Sequence, residues 1–196
     1  MNPHLKRGHI LIENVTPQVD CGRYQVKAIV GDSVAVSADI FRDGTDELQA
    51  VIRFRGLGTS SGAGGLKSQP KRKWSEAPLR HVENDRWEGS FQPTELGVCE
   101  YSIEAWTDRF ATWRRDLGKR VEAGQDVDLE LEEGALLLEA RLELIPARQR
   151  KTVEKAIEII RAKPADAKKP DPRIKAALDD KIERLMARYP DRSGST

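Results

Sequence analysis

Cysteine is scarce in this chain of 196 residues, with two, Cys21 and Cys99, and histidine is nearly as rare, with three. Two thiols cannot build a disulfide framework, so reduced cysteines and a cytoplasmic location are expected. His4, His9 and His81 show no metal-ligand spacing with either cysteine, so no metal is expected. No apolar run approaches the roughly 20 residues that a membrane-spanning helix needs. The N-terminus, with basic residues ahead of a short apolar run interrupted by Glu13, is not patterned as a signal peptide. An excess of one charge sign is also missing. The formal net charge is +1, which gives no electrostatic reason to expect nucleic acid or a membrane as partner. What is abundant is charge itself, at 33% of residues, in a chain long enough to bury a real core.

The hydrophobic period changes once, and sharply. Up to Ala105, apolar residues recur every second position; from Phe110 they recur at Trp113, Leu117 and Val121, which is helical spacing. The first half reads as strands. Val34, Val36, Ala38 and Ile40 share one face, as do Leu48, Ala50, Ile52 and Phe54. Trp74 to Val82 reads as a third strand, with Pro78 pointing to an edge or a bulge. Arg86 to Phe91 and the stretch holding Tyr101 and Ile103 follow, each bounded by turn residues. Short strands in this succession predict an antiparallel β-sandwich over residues 1–110, immunoglobulin-like in general shape, without the Cys–Trp–Cys arrangement of antibody domains.

Residues 111–196 read as a small antiparallel helical bundle, giving an α+β chain overall. The first predicted helix runs from Ala111 to Glu122, with Asp108 placed to cap it. Asp126 is positioned to cap a second, whose apolar face comprises Leu131, Ala135, Leu138, Leu142 and Ile145 before Pro146 stops it. Gly134 inside that helix implies close packing or a bend. Val153, Ala156, Ile157 and Ile160 mark a third helix. After a KPADAKKPDP linker, Asp171-Pro172 opens a last helix that ends at Tyr189-Pro190.

Candidate sites are few. The Gly/Ser-rich then basic loop Gly56 to Lys73 matches neither phosphate-loop spacing and precedes no helix, so it reads as a mobile hairpin loop. The acidic run Asp128 to Glu133 suits a helix start better than a catalytic carboxylate pair. Trp74 and Trp87 are candidates for a sugar-stacking platform, which would make the chain a module that grips α-glucan. Trp87, however, shares its face with Phe91, as a core residue does. Trp106 and Trp113 are expected to clamp the β part to the helices.

Four stretches also carry a family resemblance: IENVTPQVDCGRYQVKAIVGDSV, ENDRWEGSFQPTELG, EAWTDRFATWRR and EAGQDVDLELEEGALLLEA. In this order they resemble the N-terminal region of the α-1,4-glucan:maltose-1-phosphate maltosyltransferases, enzymes of the α-amylase superfamily. The specific elements are CGRY…K..VG and WTDRFATWRR; Gln25 and Cys99 depart from the family pattern. The resemblance marks Cys21, Gly22, Tyr24, Lys27, Trp87, Trp106, Asp108, Arg109, Trp113 and Arg114 as motif and interface positions. It implies a non-catalytic module that forms a homodimer and packs against a catalytic (β/α) barrel. By the same resemblance, family members continue beyond the position of Thr196 into a strand that completes the sandwich and then into the barrel. The nucleophile, the acid/base residue and the pocket for maltose 1-phosphate and α-glucan belong there, so no catalytic, cofactor-binding or metal-binding residue is expected here.

Overall fold

The computed structural model describes residues 10–58, 73–163 and 171–196, and these fall into two compact units. One comprises Met1–Gly44, Leu48–Thr107 and Gly194–Thr196; the other comprises Thr45–Glu47 and Asp108–Ser193. The chain therefore changes unit between Thr107 and Asp108, where the hydrophobic period changes. The greater part of the glycine-rich loop, 59–72, and the linker residues 164–170 lie outside the described residues, as do His4 and His9.

The first unit holds six strands: β1 Leu11–Thr16, β2 Val34–Phe41, β3 Leu48–Gly58, β4 Ser75–Glu83, β5 Arg86–Phe91 and β6 Val98–Thr107. Every pairing is antiparallel, in the order β1-β2-β5-β4-β3-β6. The alternation in the sequence is the cause of the layer. Val36, Ala38, Ile40, Ala50, Ile52, Leu79, Trp87, Phe91 and Ala105 are all buried in one apolar cluster. The sheet curls around that cluster until its edges approach, and the Tyr101 hydroxyl on β6 donates to the carbonyl of Pro17, just beyond β1, at 2.7 Å. The hydrogen-bonded ladder passes through all six strands without a break.

The reason lies in β4. Its first half, Ser75 to Leu79, pairs with β3, and its second half, from Leu79 to Glu83, pairs with β5. Pro78 sits where the partner changes, so its missing N–H leaves no gap in the β5 ladder. An internal proline is tolerated because each half of β4 has one ladder partner. At this corner β5 comes close, and a Cβ on Gly89 would stand 2.4 Å from the Pro78 carbonyl oxygen and 3.2 Å from Ile52 Cδ1. Only glycine fits that approach.

The second unit holds α1 Arg109–Glu122, α2 Asp128–Glu139, a 3₁₀ turn Leu142–Leu144, α3 Ala147–Ile160, α4 Pro172–Ala177 and α5 Asp180–Arg188. Phe110, Trp113, Leu117, Leu131, Ala135, Leu138, Ile145, Val153, Ile157, Ile182 and Met186 form its core. Two predicted helices are shorter than the periodicity implied. The second stops at Glu139 because Ile145, preceding Pro146, must be extended (φ −91°, ψ 130°), and the turn before it tightens to 3₁₀. The last breaks at Leu178–Asp179, where the Asp179 carboxylate accepts the Lys181 amide at 2.7 Å and starts α5 afresh. Asp126 accepts the Asp128 amide at 3.0 Å, one residue ahead of the observed cap position Val127.

Candidate interaction surfaces

The CGRY element lies on the connection between β1 and β2. Asp20, Cys21 and Gly22 have φ values of 49°, 54° and 82°, a left-handed turn closed by the Val19–Tyr24 bridge. The Arg23 amide donates to the Asp20 carbonyl at 3.0 Å, and the Tyr24 amide to the Val19 carbonyl at 3.3 Å. From there to Ile29 the chain belongs to no helix or strand. Cys21, Gly22, Tyr24 and Lys27 are all exposed, as is every residue from 18 to 33. Neither periodicity nor composition announced this exposure. The one available signal was a length of seventeen residues between strands, rich in β-branched side chains.

The tryptophans divide differently. Trp87 is buried in the β core, where its indole N–H donates to the Ile40 carbonyl at 3.2 Å and its ring meets His81 edge-on at 5.5 Å. That is the core position its spacing implied, and it cannot take part in a stacking platform. Trp74 is half-buried, and the Arg55 guanidinium lies 4.4 Å from its ring centre with Arg53 at 5.2 Å. Those cations are tied in turn to carboxylates of β6, Arg53 to Glu104 at 3.1 Å and Arg55 to Glu100. A sugar ring would have to displace a paired guanidinium to stack there. Trp106 is buried on β6.

The WTDRFATWRR motif continues into the helical unit as structural chemistry. Asp108 Oδ1 accepts the Ala111 amide at 3.0 Å, the cap that its position predicted. Trp113 is 5% exposed, and its indole N–H donates to the Glu130 carbonyl of α2 at 2.7 Å. A Cβ at Gly134 would stand 2.0 Å from Trp113 Cζ2, so the glycine within α2 exists to seat this ring. Arg114 bridges α1 to α5 through Asp180 and Glu183, each at 3.1 Å. Arg109 is exposed at the start of α1. These groups pack and cap; they do not converge.

A buried cation that the sequence reading passed over is Arg141, which donates to the Tyr189 carbonyl at 3.1 Å. Burial lowers its affinity for a proton, offset by Asp191 and Asp108. Arg161, at the C-cap of α3, grips both Glu132 and Glu139 of α2, and its hydrogen bond holds the Glu132 carboxyl below the ordinary range. At the acidic start of α2, Asp128 pairs with Arg173 of α4 at 2.8 Å and Glu130 with Arg120 of α1 at 2.9 Å, so these carboxylates too are engaged between helices.

Chemical sites are not assembled from these parts. Burial pushes the Cys99 thiol up, which makes it a poor nucleophile. Among the described residues, no group of three or more His, Cys, Asp and Glu side chains is placed to hold a metal ion. A cleft of about 150 Å³ lined by Phe54, Arg55, Pro93, Leu96, Val98 and Cys99 falls short of the roughly 300 Å³ at which small-molecule sites begin. No helix among the described residues is long and apolar enough to cross a membrane.

Comparison with known proteins finds a family model and several relatives that match the chain. Residues 8–196 match the family described as alpha-1,4-glucan:maltose-1-phosphate maltosyltransferase, domain N/S. The maltosyltransferase of that name from Myxococcus xanthus is 40% identical over 95% of this chain, which covers 27% of the relative. Those from Chlorobaculum tepidum and Rhodospirillum rubrum are 34% and 35% identical over 97% and 95% of this chain, covering 26% and 27% of each. The chain thus spans about a quarter of the length of the curated relatives it matches.

Proposed function

We infer the role of this chain from a settled premise: it belongs to the α-1,4-glucan:maltose-1-phosphate maltosyltransferase family, as the N-terminal region that carries domain N/S. Its role is that of a non-catalytic module in a cytoplasmic enzyme that moves maltosyl units from maltose 1-phosphate onto α-1,4-glucan. It supports the catalytic (β/α) barrel and contributes to a homodimer, and the sugar phosphate and glucan meet the protein only at the barrel. The observation that carries this reading is where the motif residues go. Asp108, Trp113 and Arg114 are spent on capping and helix packing, and Cys21, Gly22, Tyr24 and Lys27 lie on an exposed strand-to-strand connection.

The β unit is read as immunoglobulin-like. The strand order β1-β2-β5-β4 followed by β3-β6 corresponds to the A-B-E-D and C-F arrangement of that sandwich, with β4 changing partner at the corner. On the side of β6 away from β3, Thr196 exchanges two backbone hydrogen bonds with Ala105 at 3.0 and 2.9 Å.

The deciding assay is phosphate release from maltose 1-phosphate with a glucan acceptor. The 196-residue chain should release none, and turnover by the chain alone would overturn the reading. An affinity gel containing glucan tests the rival glucan-gripping module: retardation that Trp74→Ala relieves would favour it, and unretarded migration is expected.

A further inference from the structure

A charge buried inside a helical unit needs a reason to be there. Arg141 stands between α2 and the 3₁₀ turn and is 5% exposed. Its own backbone is fixed, the amide donating to the Leu138 carbonyl at 3.1 Å and the carbonyl accepting from the Leu144 amide at 3.0 Å. From this mount the guanidinium donates to the Tyr189 carbonyl at 3.1 Å, just past the end of α5. Burial lowers its affinity for a proton; Asp191 and Asp108 attract the charge, and Arg109 repels it. The charge therefore opposes folding, which a packed apolar side chain of the same length would not do.

What Arg141 holds is a stretch without regular structure. Beyond α5 the chain belongs to no helix or strand, yet Tyr189, Pro190, Asp191 and Arg192 are all half-buried. Tyr189 is tied at three points. Its amide donates to the Leu185 carbonyl at 3.1 Å, its hydroxyl donates to Gln149 Oε1 of α3 at 3.0 Å, and its carbonyl accepts from Arg141. That carbonyl lies where a helix has run out of amide donors and where a cation suits the helix dipole. Pro190 cannot extend the helix, and Asp191 Oδ1 next accepts the Ser193 amide at 2.8 Å. The Tyr189 ring packs on the helical core, but apolar contact is non-directional. A hydrogen bond to the carbonyl has a direction, and it is the tie that aims the residues after Tyr189.

We propose that Tyr189–Ser193 is a strap locked onto the helical unit by Arg141, a positioning residue that selects one path for the chain beyond α5 and lowers the stability of the unit in doing so. Release of the strap is then a local opening, separate from melting of the helices. The lock belongs to the helical unit alone and does not depend on the family reading.

Arg141→Met in the 196-residue chain tests it, since methionine keeps the length of the side chain and deletes the charge and the donors. Thermal unfolding should remain cooperative, with a Tm no lower than that of the unmodified chain. The backbone order parameters of Asp191, Arg192 and Ser193, measured by NMR relaxation, should fall from about 0.85 to below about 0.6. Arg141→Lys keeps a cation and a donor and should hold them near the unmodified values. Unchanged order parameters in Arg141→Met would overturn the proposal, as would values already below about 0.6 in the unmodified chain. A lowered Tm or a lost transition in Arg141→Met would overturn it too, because Arg141 would then be an ordinary member of the packed core. Loosening by Arg141→Lys as great as by Arg141→Met would show that charge and donor do not hold the strap.

Discussion

Gly134→Ala should destabilise the helical unit, against what helix propensity alone demands. In an exposed helix interior that substitution is favourable by about 1 kcal/mol. Here the new methyl would stand 2.0, 2.5 and 2.6 Å from three atoms of the Trp113 indole, where carbon contacts rest near 3.5–4.0 Å. The ring has to retreat by more than 1 Å to restore that spacing, roughly. It is not free to do so, being 5% exposed, in contact with Phe110 at 5.3 Å between ring centres, and hydrogen-bonded to the Glu130 carbonyl. Overpacking costs about 1–3 kcal/mol, and loss of the buried indole hydrogen bond about 1–3 more. Offset by the propensity gain, the net loss is about 1–5 kcal/mol, and each kcal/mol lowers Tm by roughly 4–8 °C for a unit of this size. Urea and thermal unfolding followed by circular dichroism and tryptophan fluorescence measure it. Gly118→Ala is the control, because its Cβ would meet nothing within 4 Å, and it should be neutral or stabilising by up to about 1 kcal/mol. Trp113→Phe should recover part of the Gly134→Ala loss as a non-additive coupling. Stabilisation by Gly134→Ala equal to that by Gly118→Ala would refute the reasoning.

Three further outcomes are expected. Asp108→Ala removes the cap of α1 and should cost about 1 kcal/mol in chemical denaturation, while Asp108→Asn retains most of it; equal losses would show that the cap geometry is not the cause. Asp39 accepts hydrogen bonds from Asn14 and Arg86, which hold its carboxyl below the ordinary range. A lowered folded-state value means its contribution is complete above the unfolded value and is lost as pH falls through the folded one, so the β unit weakens in acid. Asn14→Gly, which keeps the left-handed backbone (φ 49°) and deletes the amide, should move the Asp39 midpoint upward in an NMR titration; an unmoved midpoint would discount Asn14. Among the described residues, the outward backbone groups of Ile103 and Tyr101, of the same parity as Ala105, have no ladder partner beyond the Thr196 pair. Light scattering should therefore find the 196-residue chain associated, and a clean, stable monomer would count against that.

Local pattern carried a great deal on its own. Alternation and turn residues placed five of the six strands, and the period change located the passage between units. Asp108 and Gly134 were legible because a cap and a mid-helix glycine have local causes. The motif residues were legible as a family signature, though not as a surface. What the sequence could not settle was anything requiring a distant partner. Pro78 lies in an internal strand only because β4 changes neighbours beside it. The second helix ends at Glu139 because the extended pre-proline Ile145 constrains the turn before it, and Arg141 is buried because Tyr189 returns to meet it. Exposure of Val19 to Val30 is the sharpest case, since an apolar segment looks like core in any window of sequence. Hydrophobic pattern states which residues benefit from burial; tertiary packing decides which of them receive it.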